Sequence, residues 1–185
     1  MIELRDVTLA RGEKTILEHI SASLPDAGVV ALLGPSGSGK TTLTLLFAGL
    51  LAPAAGTFRG MEGKRVAVVF QEDRLLPWLS AKENVALADG ERSVADCLSL
   101  VELDGEAEKY PRRLSGGMQR RVAIARALRL GGDALVLDEP FKGLDAELRE
   151  RVAKRLAAAF PLIFIATHDE SEAALLGDYT KISLG

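Results

Sequence analysis

Four short runs of uninterrupted apolar residues, each ending abruptly in polar or glycine-rich sequence, constrain this chain more than any other feature. Val29-Val30-Ala31-Leu32-Leu33 leads into Gly34, and Val66-Ala67-Val68-Val69-Phe70 leads into Gln71. Ala134-Leu135-Val136-Leu137 leads into Asp138-Glu139, and Leu162-Ile163-Phe164-Ile165-Ala166 into Thr167-His168. Runs of this kind, rich in β-branched residues and without alternation, mark strands buried on both faces. Between them, Thr41 to Leu51, Gln119 to Leu130 and Ala146 to Ala159 read as helices. Strands separated by helices pair in parallel and form a wound α/β sheet. In such sheets ligands sit at the carboxyl ends of the strands. Each run delivers its polar residues to that edge.

The remaining sequence frames this core. A length of 185 residues suits one α/β domain, and 48% hydrophobic residues are enough to fill a sizeable interior. The formal net charge of −3 does not suit a chain that coats nucleic acid or binds anionic lipid by charge. The single cysteine, Cys97, excludes an internal disulfide and reads as core filling. Met1 to Asp6 alternates charged and apolar residues, unlike a signal peptide. The longest apolar run, Leu156 to Ala166, has 11 residues and contains Pro161, whereas a bilayer span needs about 18 or more. Any membrane role is therefore expected to come through partners.

Near the amino terminus, Ile2, Leu4, Leu9, Ile16, Ile20, Ala22 and Leu24 alternate loosely with polar neighbours, predicting antiparallel strands buried on one face. From about Leu75 to Arg113 no buried strand is found, and Val94 to Val101 has a helical pattern. Residues 1–185 are thus expected to form a single domain. Its sheet core spans about 1–74 and 114–185, and 75–113 is a helical subdomain inserted into it.

Gly34-Pro35-Ser36-Gly37-Ser38-Gly39-Lys40-Thr41 fits the phosphate-loop pattern G-x-x-x-x-G-K-[ST]. Phosphate oxygens must be wrapped closely by backbone N–H groups, and Gly34, Gly37 and Gly39 are expected to permit that path. The helix opening near Thr41 and Thr42 adds a dipole that favours an anion. Lys40 is predicted to reach the terminal phosphates and the Thr41 hydroxyl to ligate Mg²⁺. Asp138 and Glu139, at a strand end, are a candidate metal ligand and a candidate base for an attacking water. Ser115-Gly116-Gly117 opens another amphipathic helix and forms a second anion site, one more than a single nucleotide requires of one domain.

Leu114-Ser115-Gly116-Gly117-Met118-Gln119 and the following Arg120 to Leu128 resemble the signature motif of ABC transporter ATPases. The resemblance extends over nearly the whole chain, in the family's order. It implies ATP and Mg²⁺ as cofactors and a P-loop NTPase fold with a mainly parallel sheet, an N-terminal antiparallel part and a helical subdomain. It also implies a head-to-tail dimer with a second copy or a homologous cassette. In that dimer Ser115, Gly116, Gly117 and Asp145, of the Gly143-Leu144-Asp145 loop, act across the interface. Gln71 matches the glutamine that senses Mg²⁺ and the attacking water, Glu139 the general base, and His168 the switch histidine at the γ-phosphate. Arg11, before Gly12, stands where the family usually has an aromatic residue against adenine, and a guanidinium plane can also stack. Lys142-Gly143 replaces a more usual small pair, the spacing from Lys40 to Gln71 is short, and with 17 residues after His168 no regulatory domain is expected here.

Leu75-Leu76-Pro77-Trp78, within Gln71 to Ser80, resembles importer cassettes of the nitrate, sulfonate and taurine group, with thiamine-precursor importers nearby. The resemblance implies that this stretch meets transmembrane permease subunits, alongside a separate solute-binding protein, at the cytoplasmic face of the membrane. Packing of Trp78 against the helical subdomain is the plainer alternative. A soluble ABC-type ATPase of DNA repair or translation, and a nucleotide-binding module with little turnover, are the rival functional readings.

Overall fold

The computed structural model describes residues 1–184. Three strands, β1 (Ile2–Arg11), β2 (Lys14–Leu24) and β4 (Ala55–Arg59), form an antiparallel sheet in the order β2-β1-β4. Five others form a parallel sheet in the order β5-β6-β7-β3-β8. These are β3 (Gly28–Leu33), β5 (Val66–Val69), β6 (Ala134–Asp138), β7 (Leu162–Thr167) and β8 (Tyr179–Ser183). The helices are α1 (Lys40–Phe47), α2 (Ala81–Ala86), α3 (Val94–Ser99), α4 (Gly116–Leu130), α5 (Ala146–Ala159) and α6 (Glu170–Ala174).

The four apolar runs are the four inner and edge strands β3, β5, β6 and β7, and they behave as strands covered on both sides. In β3, Val29, Ala31 and Leu33 face one apolar cluster while Val30 and Leu32 face another. In β7, Ile163 and Ile165 alternate in the same way with Leu162, Phe164 and Ala166. One face is covered by α4, α5 and the helices of the 75–113 segment. The other is covered by α1 and the antiparallel sheet. Phe47 joins the layers on that second side. Its ring stacks on Phe164 of β7, with centroids 4.1 Å apart, and meets Phe58 of β4 edge-on at 5.6 Å.

The structure departs from the sequence expectation in several places, among them β4, a largely exposed strand that the apolar pattern does not show. β8 is a fifth parallel strand that the apolar pattern does not reveal, because Tyr179-Thr180-Lys181-Ile182-Ser183 lies at the sheet edge and stays largely exposed. The first helix stops at Phe47 rather than Leu51. Gly49 turns the chain at φ 70°, and the Leu50 and Leu51 N–H groups reach back to the Leu45 carbonyl. α4 starts at Gly116, where the Ser115-Gly116-Gly117 opening predicts and three residues before its apolar pattern begins: the Ser115 hydroxyl accepts from the Met118 N–H and caps the end. α3 ends at Ser99, and a tighter turn carries the chain through Val101 to Glu102, which has φ 56°.

The loose alternation near the amino terminus also has a cause. Ile2, Leu4, Val7 and Leu9 are the buried residues of β1, and the register slips between Leu4 and Val7, where Asp6 adopts φ 51°. The 75–113 segment supplies α2, α3 and a 3-10 turn at Pro111–Arg113. Ala81, Val85, Cys97, Leu98 and Val101 join the same apolar cluster as Leu135 and Ile163, so its interior is continuous with that of the sheet.

Because Phe47 links three layers, Phe47→Ala is expected to lower stability by about 3–5 kcal/mol in urea unfolding. It is also expected to weaken nucleotide binding, since α1 carries Lys40 and Thr41 at its other end.

Candidate functional site

Parallel register brings the ends of four strands to one edge. Leu33 lies beside Thr167, and Asp138 beside Ala166. The residues that follow, Gly34 to Thr41, Gln71, Glu139 and His168, therefore converge. Between them lies a cavity of about 270 Å³ whose lining includes Arg11, Ser36, Lys40, Thr41, Gln71 and Glu139. Thr42, buried at the start of α1, closes its floor, and its N–H donates to the Gly39 carbonyl at 2.9 Å. Two adjoining cavities share Gln71. One, about 160 Å³, runs between Arg11, Thr44, Phe70 and Asp138; the other, about 400 Å³, is bordered by Ser36, Glu139, Lys142 and His168.

Lys40 is almost fully buried, and its Nζ donates to the carbonyls of Gly34 (2.7 Å) and Pro35 (2.8 Å). The loop is thus wound around its own ammonium group. Two of its glycines are needed for close approach, and Gly39 for conformational freedom as well. A Cβ on Gly34 would lie 2.2 Å from the Leu184 carbonyl oxygen, and one on Gly39, at φ 94°, would strike Leu17 at 2.8 Å. The expected path for phosphate is therefore only part of the reason for these glycines; packing against β8 and β2 is the other part.

The Thr41 hydroxyl donates to Asp138 Oδ2 at 2.8 Å. Burial raises the pKa of Asp138, opposed by the Thr41 hydrogen bond, while the neighbouring Glu139 charge raises it further. A buried carboxylate beside a hydroxyl is an oxygen donor pair of the hardness that Mg²⁺ prefers, so these residues fit that ion. Positive charge placed there would relieve the cost of the buried carboxylate.

Glu139 leaves the sheet abruptly. Its N–H still donates to the Ala166 carbonyl at 2.9 Å, continuing the ladder, but its φ of 49° is left-handed. Such a conformation costs a non-glycine residue of order 1 kcal/mol or more, and here it separates the directions of the two acids. The Glu139 carboxylate meets His168 Nδ1 at 3.1 Å through both oxygens. His168 is exposed, and its pKa is raised above the ordinary imidazole value, first by this hydrogen bond and then by the Glu139 charge. Next to it, Thr167 and the buried Glu172 share a 2.7 Å hydrogen bond that secures the turn.

Ser115, Gly116, Gly117 and Asp145 do not line these cavities. Ser115 and Gly116 are exposed at the start of α4. The two glycines there differ. A Cβ on Gly117 would lie 2.4 Å from the Gly143 carbonyl oxygen, so this glycine lets the chain's own 143–145 loop pack closely; a Cβ on Gly116 meets nothing within 4 Å. Asp145 caps α5 by accepting from the Leu148 N–H at 2.9 Å.

Arg11 sits at the tip of the β1–β2 hairpin and borders two of the cavities. Trp78 does not pack into the 75–113 segment as the plainer alternative expects: it is 68% exposed.

Sequence reasoning missed Arg120, a buried residue of α4 that donates to the Phe70 and Gln71 carbonyls. Its signal was available: it falls four and eight residues before Ile124 and Leu128, on the helix face that is otherwise apolar.

A parallel sheet with a phosphate-loop turn, an acid pair and a histidine at its carboxyl edge defines a P-loop nucleotide-hydrolysing protein. Comparisons narrow the class. The ABC transporter family model matches residues 17–142. The chain is 41% identical, over 96% of its length, to the aliphatic sulfonates import ATP-binding protein of Paraburkholderia xenovorans and spans 74% of it. It is 43% identical to the counterpart in Granulibacter bethesdensis, with 96% and 77% covered. It is 37% identical to the Fe(3+) ions import ATP-binding protein of Escherichia coli, with 96% of this chain but only 57% of that protein covered. A dimeric ATP-binding cassette in a post-hydrolysis state with ADP and Pi superposes with a TM-score of 0.84 at 27% identity, covering 100% of this chain and 96% of that one. The chain belongs to the ABC transporter family, as one of its ATP-hydrolysing cassettes.

The raised pKa means that folding favours protonated His168. The pair's contribution is complete below the ordinary imidazole pKa and is lost as pH rises through the folded value. NMR titration of the nucleotide-free chain is expected to place His168 above a free imidazole. In Glu139→Gln it should fall back towards the free value.

Proposed function

We propose that the chain energises a membrane importer as a head-to-tail dimer, each ATP gripped by the phosphate loop of one copy and closed over by Ser115 to Gly117 of the other. The observation that carries this reading is the second anion nest. The start of α4 is exposed, lies outside the cavities beside the chain's own phosphate loop, and has open space at Gly116. The dimeric cassette with ADP and Pi supports the same arrangement by similarity.

Within one copy, Lys40 exchanges the Gly34 and Pro35 carbonyls for phosphate oxygens, and the loop's N–H groups and the α1 dipole add to the attraction. Thr41, Asp138 and Gln71 would hold Mg²⁺, which when bound neutralises charge on the phosphate oxygens. Glu139, turned out of the sheet by its left-handed backbone, accepts a proton from the attacking water. His168 holds that carboxylate in the resting chain and is free to turn to the γ-phosphate when nucleotide enters. Arg11 at the hairpin tip offers its guanidinium plane to the base. Asp145 and its loop, packed on Gly117, complete the face presented to the other copy.

Leu75, Leu76, Pro77 and Trp78 follow Gln71 directly. With Trp78 exposed they form an apolar contact for a permease subunit, so that nucleotide state at Gln71 and docking share one loop. Among the described residues no helix is long and apolar enough to cross a membrane. By similarity to the importer ATP-binding proteins, the chain would attach through such partners at the cytoplasmic face. The relatives carry names for unlike cargoes, a sulfonate and a ferric ion, at comparable identity. Cargo choice therefore belongs to the permease and a separate solute-binding protein. The exposed Trp78 patch favours this reading over a soluble ABC ATPase acting on nucleic acid or ribosomes.

Glu139→Gln is expected to retain ATP binding, accumulate as a nucleotide-bound dimer in size-exclusion chromatography, and turn over roughly 10²-fold or more slowly. Ser115→Arg is expected to leave ATP affinity of the monomer nearly unchanged while abolishing hydrolysis. A monomer that hydrolyses ATP at the full rate of the dimer would overturn the shared-site reading.

A further inference from the structure

The loop after β5 is held by one side chain more than by any other. Arg120 is only 3% exposed, and its two terminal nitrogens donate to the Phe70 and Gln71 carbonyls, each at 2.5 Å. The same guanidinium pairs with the Asp73 carboxylate at 3.2 Å, so three groups of residues 70–73 converge on one planar cation. One helical turn and a half further along α4, Arg126 donates to the carbonyls of Asp73 (2.9 Å) and Arg74 (3.0 Å). Arg74 in turn lies over the Phe70 ring, 3.7 Å from its centroid.

A buried guanidinium needs nearly all its donors satisfied, which makes this arrangement stiff as well as specific. The groups it binds are carbonyls, which carry no side-chain identity; what is specified is the path of the backbone at Gln71. The Gln71 side chain, left unused by this network, borders all three cavities at the phosphate edge. Arg120 also lies only five residues beyond Ser115 on the same helix.

We propose that Arg120 is a positioning residue for hydrolysis: it acts through the Gln71 backbone to set where the Gln71 side chain stands at the nucleotide site, with Asp73 as its counter-ion. The proposal rests on the reading that Gln71 serves the reaction. Arg120 makes no contact with the phosphate loop or Glu139, and its charge is the last of the influences on the Asp138 pKa, which Arg120→Lys preserves; removing the fork therefore affects turnover more than nucleotide capture.

A double-mutant cycle in steady-state ATP hydrolysis by the purified chain, at protein concentrations that saturate the rate per copy, tests this. Arg120→Gln is expected to lower kcat by roughly 10- to 100-fold, the scale of a misplaced reactive group, with KM for ATP little changed. In a Gln71→Ala background the same substitution is expected to change kcat by no more than about twofold, because the group it positions is gone. Arg120→Lys keeps the buried charge beside Asp73 but reaches only one carbonyl, and should fall between wild type and Arg120→Gln; it takes the place of the glutamine variant in the cycle if that variant does not fold. A full, additive loss in the Gln71→Ala background shows a merely structural role and overturns the proposal, as does an Arg120→Gln chain with wild-type kcat. A Gln71→Ala chain that itself keeps wild-type kcat removes the underlying reading of Gln71 instead.

Discussion

Everything at the nucleotide edge depends on the in-register parallel pairing of β3, β6 and β7, each covered on both faces. Apolar side chains alternate into two separate clusters, so no strand can slip by one residue without exchanging its two faces. That locks Leu33 beside Thr167 and Asp138 beside Ala166. Because the strands end together, the residues after them emerge within reach of one another without any further constraint. The phosphate loop, the acids and the histidine are placed by packing more than ten residues' worth of hydrocarbon behind them.

Charge management at this edge follows a common pattern. Three ionisable groups there have partners that are replaceable. Lys40 is held by carbonyls, Asp138 by the Thr41 hydroxyl, and Glu139 by His168. Such partners satisfy the groups when nucleotide is away, at modest cost to exchange, since a hydrogen bond swapped for another changes little net free energy. The left-handed backbone of Glu139 is a local strain at the edge, and it keeps two adjacent carboxylates from sharing one direction.

α4 ties this edge to the rest of the molecule. Its first residues form the exposed nest of Ser115 and Gly116, its buried face packs α2 and α3 onto the sheet, and its arginines hold the backbone of residues 70–74. Gly117 brings the 143–145 loop against the same helix end. One rigid element therefore touches the exposed nest, the Gln71 loop and, through residues 75–78, the exposed apolar patch at Trp78.

Much of this was legible in the residues alone. The doubly buried strands announce themselves by unbroken apolar runs, and the phosphate loop, the acid pair and the Ser115 cap by short motifs whose chemistry depends on adjacent residues. Those are local properties, and a sequence states them directly. β8, the slipped register at Asp6, the contact of Gly34 with Leu184, the pairing of Glu139 with His168 and the grip of Arg120 on Gln71 were decided only by the tertiary structure. Each joins groups distant in the chain, or depends on an edge strand with little apolar content, so the free energy that selects it appears only once the layers have packed.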